Sequence, residues 1–497
     1  MKFKVLICTA LLGVSIFGGV CYAADTEVFL KESAIETYES GTYYEQWNIW
    51  FDKSNGRITG YDGHAEILTL PSEIDGVAVV GIENSAFKGA DFKKINLPQS
   101  LTLISYKAFE NCTALTEITI PKNITTDRSN DYTSYYGNWF VGCTSLKKVI
   151  FEEGTTTILR EALANSYVTD VVLPSTLTQI NYRAFNNMTG LKSISLPESL
   201  TVIGEEAFSG CSSIESLDIP KYVSTIYSGA FKNCSSLKNI KLGNGITLLS
   251  YKVFENCTSL TEITIPKNVT NDRDNDYTSY YGNWFFGCTS LKKVIFEEGT
   301  TTILREALAN SYVKQVVLPD SVENINYKAF SNCLNLTSIK IPQNLKYLGN
   351  SAFYGCNKLE KAIFTGNAPE ITGTSTYDIE QVFKNCYVDF EINYLIGKTG
   401  WTEPEWNGYQ CKGIVSYEET NSFIYGGANN TGRLEAADAA VILQKVLNNS
   451  FKMPIESETS DYMKYIDVDL DNKITAADSA AVLQKVLNSS FIMPVEK

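Results

Sequence analysis

The hydrophobic positions of this chain recur with a period of about 23 residues over most of its length. A representative unit reads AFSGCSSIESLDIPKYVSTIYSG, from Ala207 to Gly229. Its IESLDIP stretch alternates apolar and polar residues, which predicts a half-buried strand, and the proline ends the strand because it cannot donate to a ladder. The AFxxC stretch is predicted to form the opposite wall of the coil. One such unit cannot bury its own apolar face, so the pattern predicts stacked coils.

Each unit has one large apolar anchor, which is phenylalanine in most units and leucine in the two copies of REALANS. The anchors are Phe87, Phe109, Leu163, Phe185, Phe208, Phe231, Phe254, Leu308, Phe330 and Phe353. About a dozen coils at ~4.8 Å per strand predict a solenoid on the order of 60 Å long. We assign 25–75 to an atypical N-terminal capping unit and 76–413 to the solenoid, which GKTGWTEPEWNGYQC closes.

The repeated pattern CxxLxxIxIPxxxxxIxxxAF resembles the bacterial leucine-rich repeats of the BspA type, from Gly60 to Cys411. The resemblance implies a right-handed leucine-rich-repeat β-solenoid that curves, serves binding in secreted and surface proteins, and has no catalytic residues of its own. The binding role is an analogy at the level of the fold, which is weaker than a site.

A longer duplication overlies the short repeat, because Tyr106–Phe185 recurs almost unchanged as Tyr251–Phe330, 145 residues later. Each copy has an insertion, TTDRSNDYTSYYGNW or TNDRDNDYTSYYGNW, that lengthens one period to 31 residues. Aromatic side chains on a projecting loop suit sugar rings or protein anchors. The alternative is that the rings pack on the neighbouring coil and seal an irregular loop. The candidates are Tyr132, Tyr135, Tyr136, Trp139, Tyr277, Tyr280, Tyr281 and Trp284.

Two similar segments occupy the C-terminal part of the chain, YGGANNTGRLEAADAAVILQKVLNNSFKMP at 425–454 and IDVDLDNKITAADSAAVLQKVLNSSFIMP at 466–494. In the second, alternate residues of a twelve-residue loop present the oxygens that calcium needs, and Asn472 stands where the turn requires a residue that tolerates positive φ. The predicted calcium ligands are Asp467, Asp469, Asp471, Lys473 through its backbone carbonyl, Thr475 and Asp478. An amphipathic helix is predicted to follow directly.

The loop of the first segment has lost the acids of positions 1 and 5, where Gly427 and Thr431 stand. Because it offers fewer charged oxygens, we expect a much weaker calcium site, or none. Its corresponding residues are Asn429, Thr431, Arg433, Glu435 and Asp438. The sequence therefore predicts one calcium ion and leaves a second open.

An Asp-rich loop, AAD and an LQKVLN helix, occurring twice, resemble a dockerin domain of the type I kind, over Tyr425–Pro494. The resemblance implies a small all-α domain, 425–497, with paired EF-hand-like loop–helix motifs after a linker at 414–424. It also implies calcium-dependent docking onto a cohesin module of a scaffoldin in a cellulosome. The positions that it assigns to cohesin contact are Ala436, Ala437, Leu443, Gln444, Asn448, Ala476, Ala477, Leu483, Gln484 and Asn488.

The N-terminal stretch MKFKVLICTALLGVSIFGGVCYAA has two lysines, a short apolar run and small residues, which predicts a secretory signal peptide at 1–24. We therefore expect an extracellular protein with no transmembrane segment. A net charge of −14 and a pI near 4.8 argue against nucleic acid as a partner, since phosphates are repelled. The one histidine, His64, excludes a zinc site made of several histidines.

Ten cysteines follow the predicted signal peptide, and an even number in an exported protein first suggests disulfides. Their spacing favours another interpretation, because most recur at one position of the repeat, just before xxL. A cysteine placed once per coil behaves as a small buried hydrophobe, so we predict free thiols.

Three functions remain open from the sequence. One is a non-catalytic binding subunit that docks through the dockerin-like module while the solenoid binds a protein or a plant-cell-wall polysaccharide. Another is a glycoside hydrolase or other polysaccharide-degrading subunit, for which Glu403 and Glu405 in WTEPEWNGY are the best paired carboxylates. The third is a surface adhesin or spacer. The sequence favours the binding subunit over an enzyme.

Overall fold

The computed structural model describes residues 41–125, 137–271, 282–372 and 381–414. The chain divides into two units, Met1–Tyr38 and Glu39–Lys497, and all described residues belong to the second. These residues form β-strands and turns, and no α-helix occurs among them. The predicted dockerin-like domain, including its helices, lies outside the described residues.

The described residues form 31 strands. The N-terminal strands are β1 Thr42–Tyr44, β2 Ile49–Asp52, β3 Arg57–Tyr61, β4 Ile67–Thr69, β5 Glu73–Ile74, β6 Val77–Ala78, β7 Gly81–Ile82, β8 Lys94–Asn96, β9 Leu103–Ile104 and β10 Glu117–Ile120. The central strands are β11 Lys148–Phe151, β12 Thr157–Ile158, β13 Asp170–Val172, β14 Gln179–Ile180, β15 Val202–Ile203, β16 Ser216–Asp218, β17 Thr225–Ile226, β18 Asn239–Lys241, β19 Leu248–Leu249 and β20 Glu262–Ile265. The remaining strands are β21 Lys293–Phe296, β22 Thr302–Ile303, β23 Gln315–Val317, β24 Asn324–Ile325, β25 Ser338–Ile341, β26 Tyr347–Gly349, β27 Lys361–Phe364, β28 Glu370–Thr372, β29 Glu391–Leu395, β30 Glu405–Trp406 and β31 Tyr409–Ile414.

Each regular coil places one strand on each of two faces, and strands of successive coils pair in parallel. Face A holds the longer strands, in hydrogen-bonded groups ordered β13-β11-β10-β8-β4, β16-β18, β20-β21-β23 and β25-β27-β29-β31-β30. Face B holds shorter strands, ordered β1-β2-β3-β7-β9, β12-β14-β15-β17-β19 and β22-β24-β26-β28. The predicted leucine-rich-repeat solenoid is confirmed, with about 14 turns rather than about a dozen.

The breaks in face B coincide with the two inserted loops. The first break lies between β9 and β12, on either side of residues 126–136, and the second between β19 and β22, on either side of 272–281. Face A continues past both loops, because β10 pairs with β11 and β20 with β21. The ladder of face B is therefore interrupted at the positions of the two insertions, whereas that of face A is not interrupted there.

The anchor phenylalanines stack along the core as the repeat predicts. Rings of adjacent coils lie nearly parallel, as in Phe208 on Phe231, with centroids 5.6 Å apart and an interplanar angle of 10°. The stack also includes three anchors that the repeat alignment left out, namely Phe140, Phe285 and Phe383. Because full burial of a phenylalanine contributes about 1.5–3 kcal/mol, this column is a main source of the solenoid's stability.

The cysteines form a second column beside the rings. All ten described cysteines are free thiols, nine of them buried, as the repeat spacing predicted. Nine of these Sγ atoms donate to the carbonyl oxygen of the anchor one coil earlier, as in Cys211 to Phe185 at 3.1 Å and Cys234 to Phe208 at 3.2 Å. Burial raises the pKa of Cys211 to about 12, so this thiol is protonated at neutral pH.

Candidate binding surface

Face A presents two side chains per strand to solvent, because a strand alternates its residues between the two sides. In β10, Ile118 and Ile120 are buried while Glu117 and Thr119 point outward. Parallel register aligns equivalent positions, so Glu117 lies between Lys94 of β8 and Lys148 of β11. Within each hydrogen-bonded group of face A, the outward side chains therefore form two rows across successive coils. These outward residues include the polar positions of the IxIP stretch, and they were not among the predicted site residues.

Charged residues next to face A pair across coils. Lys148 Nζ lies 3.7 Å from Glu117, and Lys238 Nζ lies 2.8 Å from Glu215. Exposed pairs of this kind contribute little to stability, at about 0–1 kcal/mol. Each pair can nevertheless orient a binding surface, because it holds two long charged side chains in one geometry.

Two apolar pairs interrupt the polar rows at equivalent places of the long duplication. Ile150 of β11 is the register partner of Val172 of β13, and Ile295 of β21 is the register partner of Val317 of β23. Val172 is 41% exposed. Such β-branched side chains offer rigid apolar contact area to a partner.

Cationic and aromatic side chains alternate across successive coils in the segment between each face B strand and the following anchor. The Arg160 and Arg183 guanidinium carbons lie 4.5 and 4.7 Å from the centre of the Tyr182 ring. Arg183 also binds Glu206 at 2.5 Å. Burial raises the pKa of Glu161 on the same edge, although Arg183 and Arg160 act to lower it. With acids interleaved among the cations, this edge is held together by its own side chains.

The structure corrects part of the prediction for the inserted loops. Trp139 is 2% exposed and Trp284 is 1% exposed, so neither indole presents a surface to a ligand. Both rings pack edge-on against the following anchor, Phe140 or Phe285, at interplanar angles of 84° and 88°. The tryptophan follows the loop in sequence but belongs to the apolar wall of the next coil.

The other predicted site residues lie outside the described residues. These are the six loop tyrosines, the calcium ligands of both C-terminal loops and the positions assigned to cohesin contact. They stay predictions. Among the described residues, no three His, Cys, Asp or Glu side chains are grouped so that they can hold a metal ion.

Glu403 has a structural role in the C-terminal cap. Its Oε1 accepts hydrogen bonds from the backbone N–H of Gly413, at 2.6 Å, and from the Tyr394 hydroxyl, at 2.9 Å. It thereby covers part of the outer edge of β31, which otherwise exposes unpaired backbone groups. Glu405 lies in β30 and is exposed.

A match to a family model covers more than half of the chain. The model is the BspA type leucine rich repeat region, present in six copies, over residues 69–171, 156–280 and 272–389. The chain belongs to the BspA-type leucine-rich-repeat family. Among curated proteins, none matches it.

Solved structures of other leucine-rich-repeat proteins are similar to this BspA-type chain. A leucine-rich repeat protein from Bacteroides ovatus is 24% identical, covers 74% of this chain and 97% of its own, and has a TM-score of 0.49. A leucine rich cell surface protein from Faecalibacterium prausnitzii is 18% identical, with coverages of 75% and 98% and a TM-score of 0.30. The pneumococcal vaccine antigen PcpA is 21% identical, with coverages of 73% and 89% and a TM-score of 0.34.

The described part of the chain contains no helix with the length and apolar character needed to cross a bilayer.

Proposed function

We propose that this protein is a non-catalytic extracellular binding protein. Its solenoid holds a protein or plant-cell-wall polysaccharide ligand on face A, and its C-terminal segment docks onto a scaffoldin cohesin in the presence of calcium. The observation that carries the binding role is the pair of outward rows on face A, in which side chains of successive coils stand in register. Such a surface gains contact area coil by coil, and solenoids use extended surfaces of this kind for binding.

Two observations support an extracellular location. The N-terminal stretch has the charge and apolar pattern of a signal peptide. Two similar solved structures are described as a cell surface protein and a vaccine antigen. Buried, free thiols are compatible with this location, because a buried protonated thiol is slow to oxidise.

The docking role rests on the sequence of the C-terminal segment. Its second loop places Asp467, Asp469 and Asp471 at alternate positions, as calcium coordination requires. The near-identical LQKVLN stretches supply two candidate cohesin contacts. Attachment to a scaffold gives the solenoid a fixed place beside partner proteins, which raises its effective concentration at a shared substrate.

The docking role is tested with the full-length chain passed over a panel of immobilised cohesin modules, with calcium and with EDTA. Retention by at least one cohesin in calcium, and release by EDTA, is the expected result. If no cohesin retains the chain, the docking role fails while the binding role of face A stands.

The binding role is tested by retention of the same chain on cellulose, xylan and mannan, and by capture of purified scaffoldin proteins. Face A is probed with Ile150→Asp plus Val172→Asp, which places charge in an outward apolar pair. The matched control is Gln179→Asp, at an exposed position of face B. Loss of retention in the face A variant alone supports the proposal, and equal retention of wild type and variant for every ligand contradicts it.

A further inference from the structure

One coil in the middle of the solenoid supplies no strand to face A. Residues 191–197 form no strand, although the coils on either side supply β13 and β16. The inward positions of this coil are also less covered than those of its neighbour. Ile194 and Leu196 are half-buried, whereas Leu217 and Ile219 of the next coil are 3% and 4% exposed. At this coil, face A therefore lacks a strand and its inward apolar side chains are partly exposed to solvent.

A pocket lies at the carboxyl ends of the strands beside this break, and we call it the strand-end pocket. Its volume is about 370 Å³, within the ~300–1,000 Å³ typical of ligand sites. The side chains that matter for its chemistry are Leu196, Glu198, Asp218, Pro220, Lys221 and Lys241. Two carboxylates and two ammonium groups thus share one small volume with two apolar side chains.

The charged groups of the strand-end pocket are not satisfied by the protein. Asp218 and Lys241 are register partners on β16 and β18, the arrangement in which opposite charges ordinarily pair. Within the described chain, however, neither they nor Glu198 takes part in an ion pair or a side-chain hydrogen bond. Lys221 is positioned by its neighbour, since its Nζ lies 4.8 Å from the centre of the Tyr222 ring.

The equivalent pocket near the N-terminal end of face A is different. It is smaller, at about 210 Å³, and its lining includes Asn96, Glu117, Thr119 and Glu152. There the acids have partners, because Glu117 pairs with Lys148 and Glu152 accepts hydrogen bonds from the Gln99 amide at 2.7 and 2.8 Å. The acids of the smaller pocket are thus paired, whereas those of the strand-end pocket are not.

We propose that the strand-end pocket binds one residue of a neutral, hydroxyl-rich ligand, namely a sugar unit of a polysaccharide. Equal numbers of carboxylates and ammonium groups disfavour a ligand with net charge of either sign. A hydroxyl group both donates and accepts, so it can bridge a carboxylate and an ammonium that do not reach each other. The half-buried Leu196 offers apolar surface for the carbon face of the ring. This inference rests on the proposed binding function and names its ligand class and location.

The test is calorimetric titration of the full-length chain with cello-, xylo- and manno-oligosaccharides. We expect saturable binding of at least one of them. Asp218→Ala plus Lys241→Ala should weaken that binding by about tenfold or more, since each side chain provides hydrogen bonds to the sugar. The matched control is Asn96→Ala plus Thr119→Ala, at the equivalent positions of the smaller pocket, and it should leave the affinity unchanged. Both altered pairs are exposed, so circular dichroism melting should match wild type.

Three results would overturn the inference. One is oligosaccharide binding of equal affinity in wild type and the Asp218/Lys241 variant. Another is that the chain binds no oligosaccharide, although an immobilised protein or whole polysaccharide retains it through face A. The third is that the wild-type chain binds a free amino acid or dipeptide instead of sugars, and that the Asp218/Lys241 variant loses this binding. In each case the broader binding role survives, whereas absence of all ligand retention would defeat both proposals.

Discussion

The indole Nε1 of Trp284 donates a 2.9 Å hydrogen bond to the backbone carbonyl oxygen of Leu249 in the core of the solenoid. Leu249 belongs to β19, the strand of face B that precedes the second inserted loop, and Trp284 follows that loop. The bond therefore joins the two sides of the insertion below the surface. It stabilises the closed coil of the second copy, which contains this 31-residue period.

Trp284→Ala should lower the free energy of unfolding by about 3–5 kcal/mol, because it empties the space of a buried tryptophan. Trp284→Phe should cost less, about 1–3 kcal/mol, since it mainly leaves the Leu249 carbonyl without its donor. Urea unfolding followed by circular dichroism measures both. A Trp284→Ala protein that unfolds like wild type but loses ligand binding would restore the indole as a contact residue.

The cysteines of the column should react only slowly with thiol reagents while the solenoid is folded. Burial raises the pKa of Cys211 and Cys386 to about 12 and of Cys411 to about 11, so the reactive thiolate is scarce at pH 8. A colorimetric disulfide reagent should label the native chain slowly and label all accessible cysteines at once in guanidinium. Rapid labelling of the native chain at Cys211, located by mass spectrometry, would contradict the packing described above.

The stability of the second duplicated copy should depend on pH through Glu255. Burial of this carboxyl acts to raise its pKa, but Lys252 and Lys232, each 2.9 Å away, outweigh burial and hold the pKa below its ordinary value. Such an acid stabilises the fold above the pKa of the unfolded chain, and the contribution disappears as pH falls through the folded-state pKa. The difference in unfolding free energy between wild type and Glu255→Gln should therefore be largest near neutral pH and shrink below pH ~4.3. A difference that grows on acidification would reverse the assigned direction.

Calcium should bind chiefly at the second C-terminal loop. Asp467→Ala plus Asp469→Ala removes two of the predicted ligands and should abolish the tighter calcium-binding event in calorimetry, together with cohesin retention. The first loop provides the control, because Asn429→Ala plus Thr431→Ala alters a loop with few charged ligands. If this control removes the tighter event and the aspartate variant does not, the loops have been assigned in the wrong order.

The two LQKVLN stretches should each support cohesin binding, in orientations related by about 180°, because their sequences are nearly the same. Gln444→Ala plus Asn448→Ala and Gln484→Ala plus Asn488→Ala should each leave binding largely intact, and the fourfold variant should lose it. Surface plasmon resonance on a cohesin distinguishes the cases. Loss of binding by one pair alone would show a single mode.

The repeat was predictable because its periodicity is a local property. Alternation in IESLDIP marks a strand wherever it occurs, and the anchor positions mark the core, so the family and the solenoid could be inferred from the chain alone. The free thiols followed from the same spacing. The anchors Phe140 and Phe285 were less evident, since insertions displace them from the regular period, and the ring stack reveals them.

The sequence by itself determined that the chain folds as stacked coils, because one coil's hydrophobic positions can be buried only against the next. Only the tertiary structure decided which side chains remain at the surface. For Trp139 and Trp284 the sequence left open whether the rings project from a loop or pack on the neighbouring coil, and the structure places both in the core. Asp218 and Lys241 look like ordinary strand residues in the sequence. Their unpaired state beside a break in face A depends on how neighbouring coils pack, and a local pattern does not encode that.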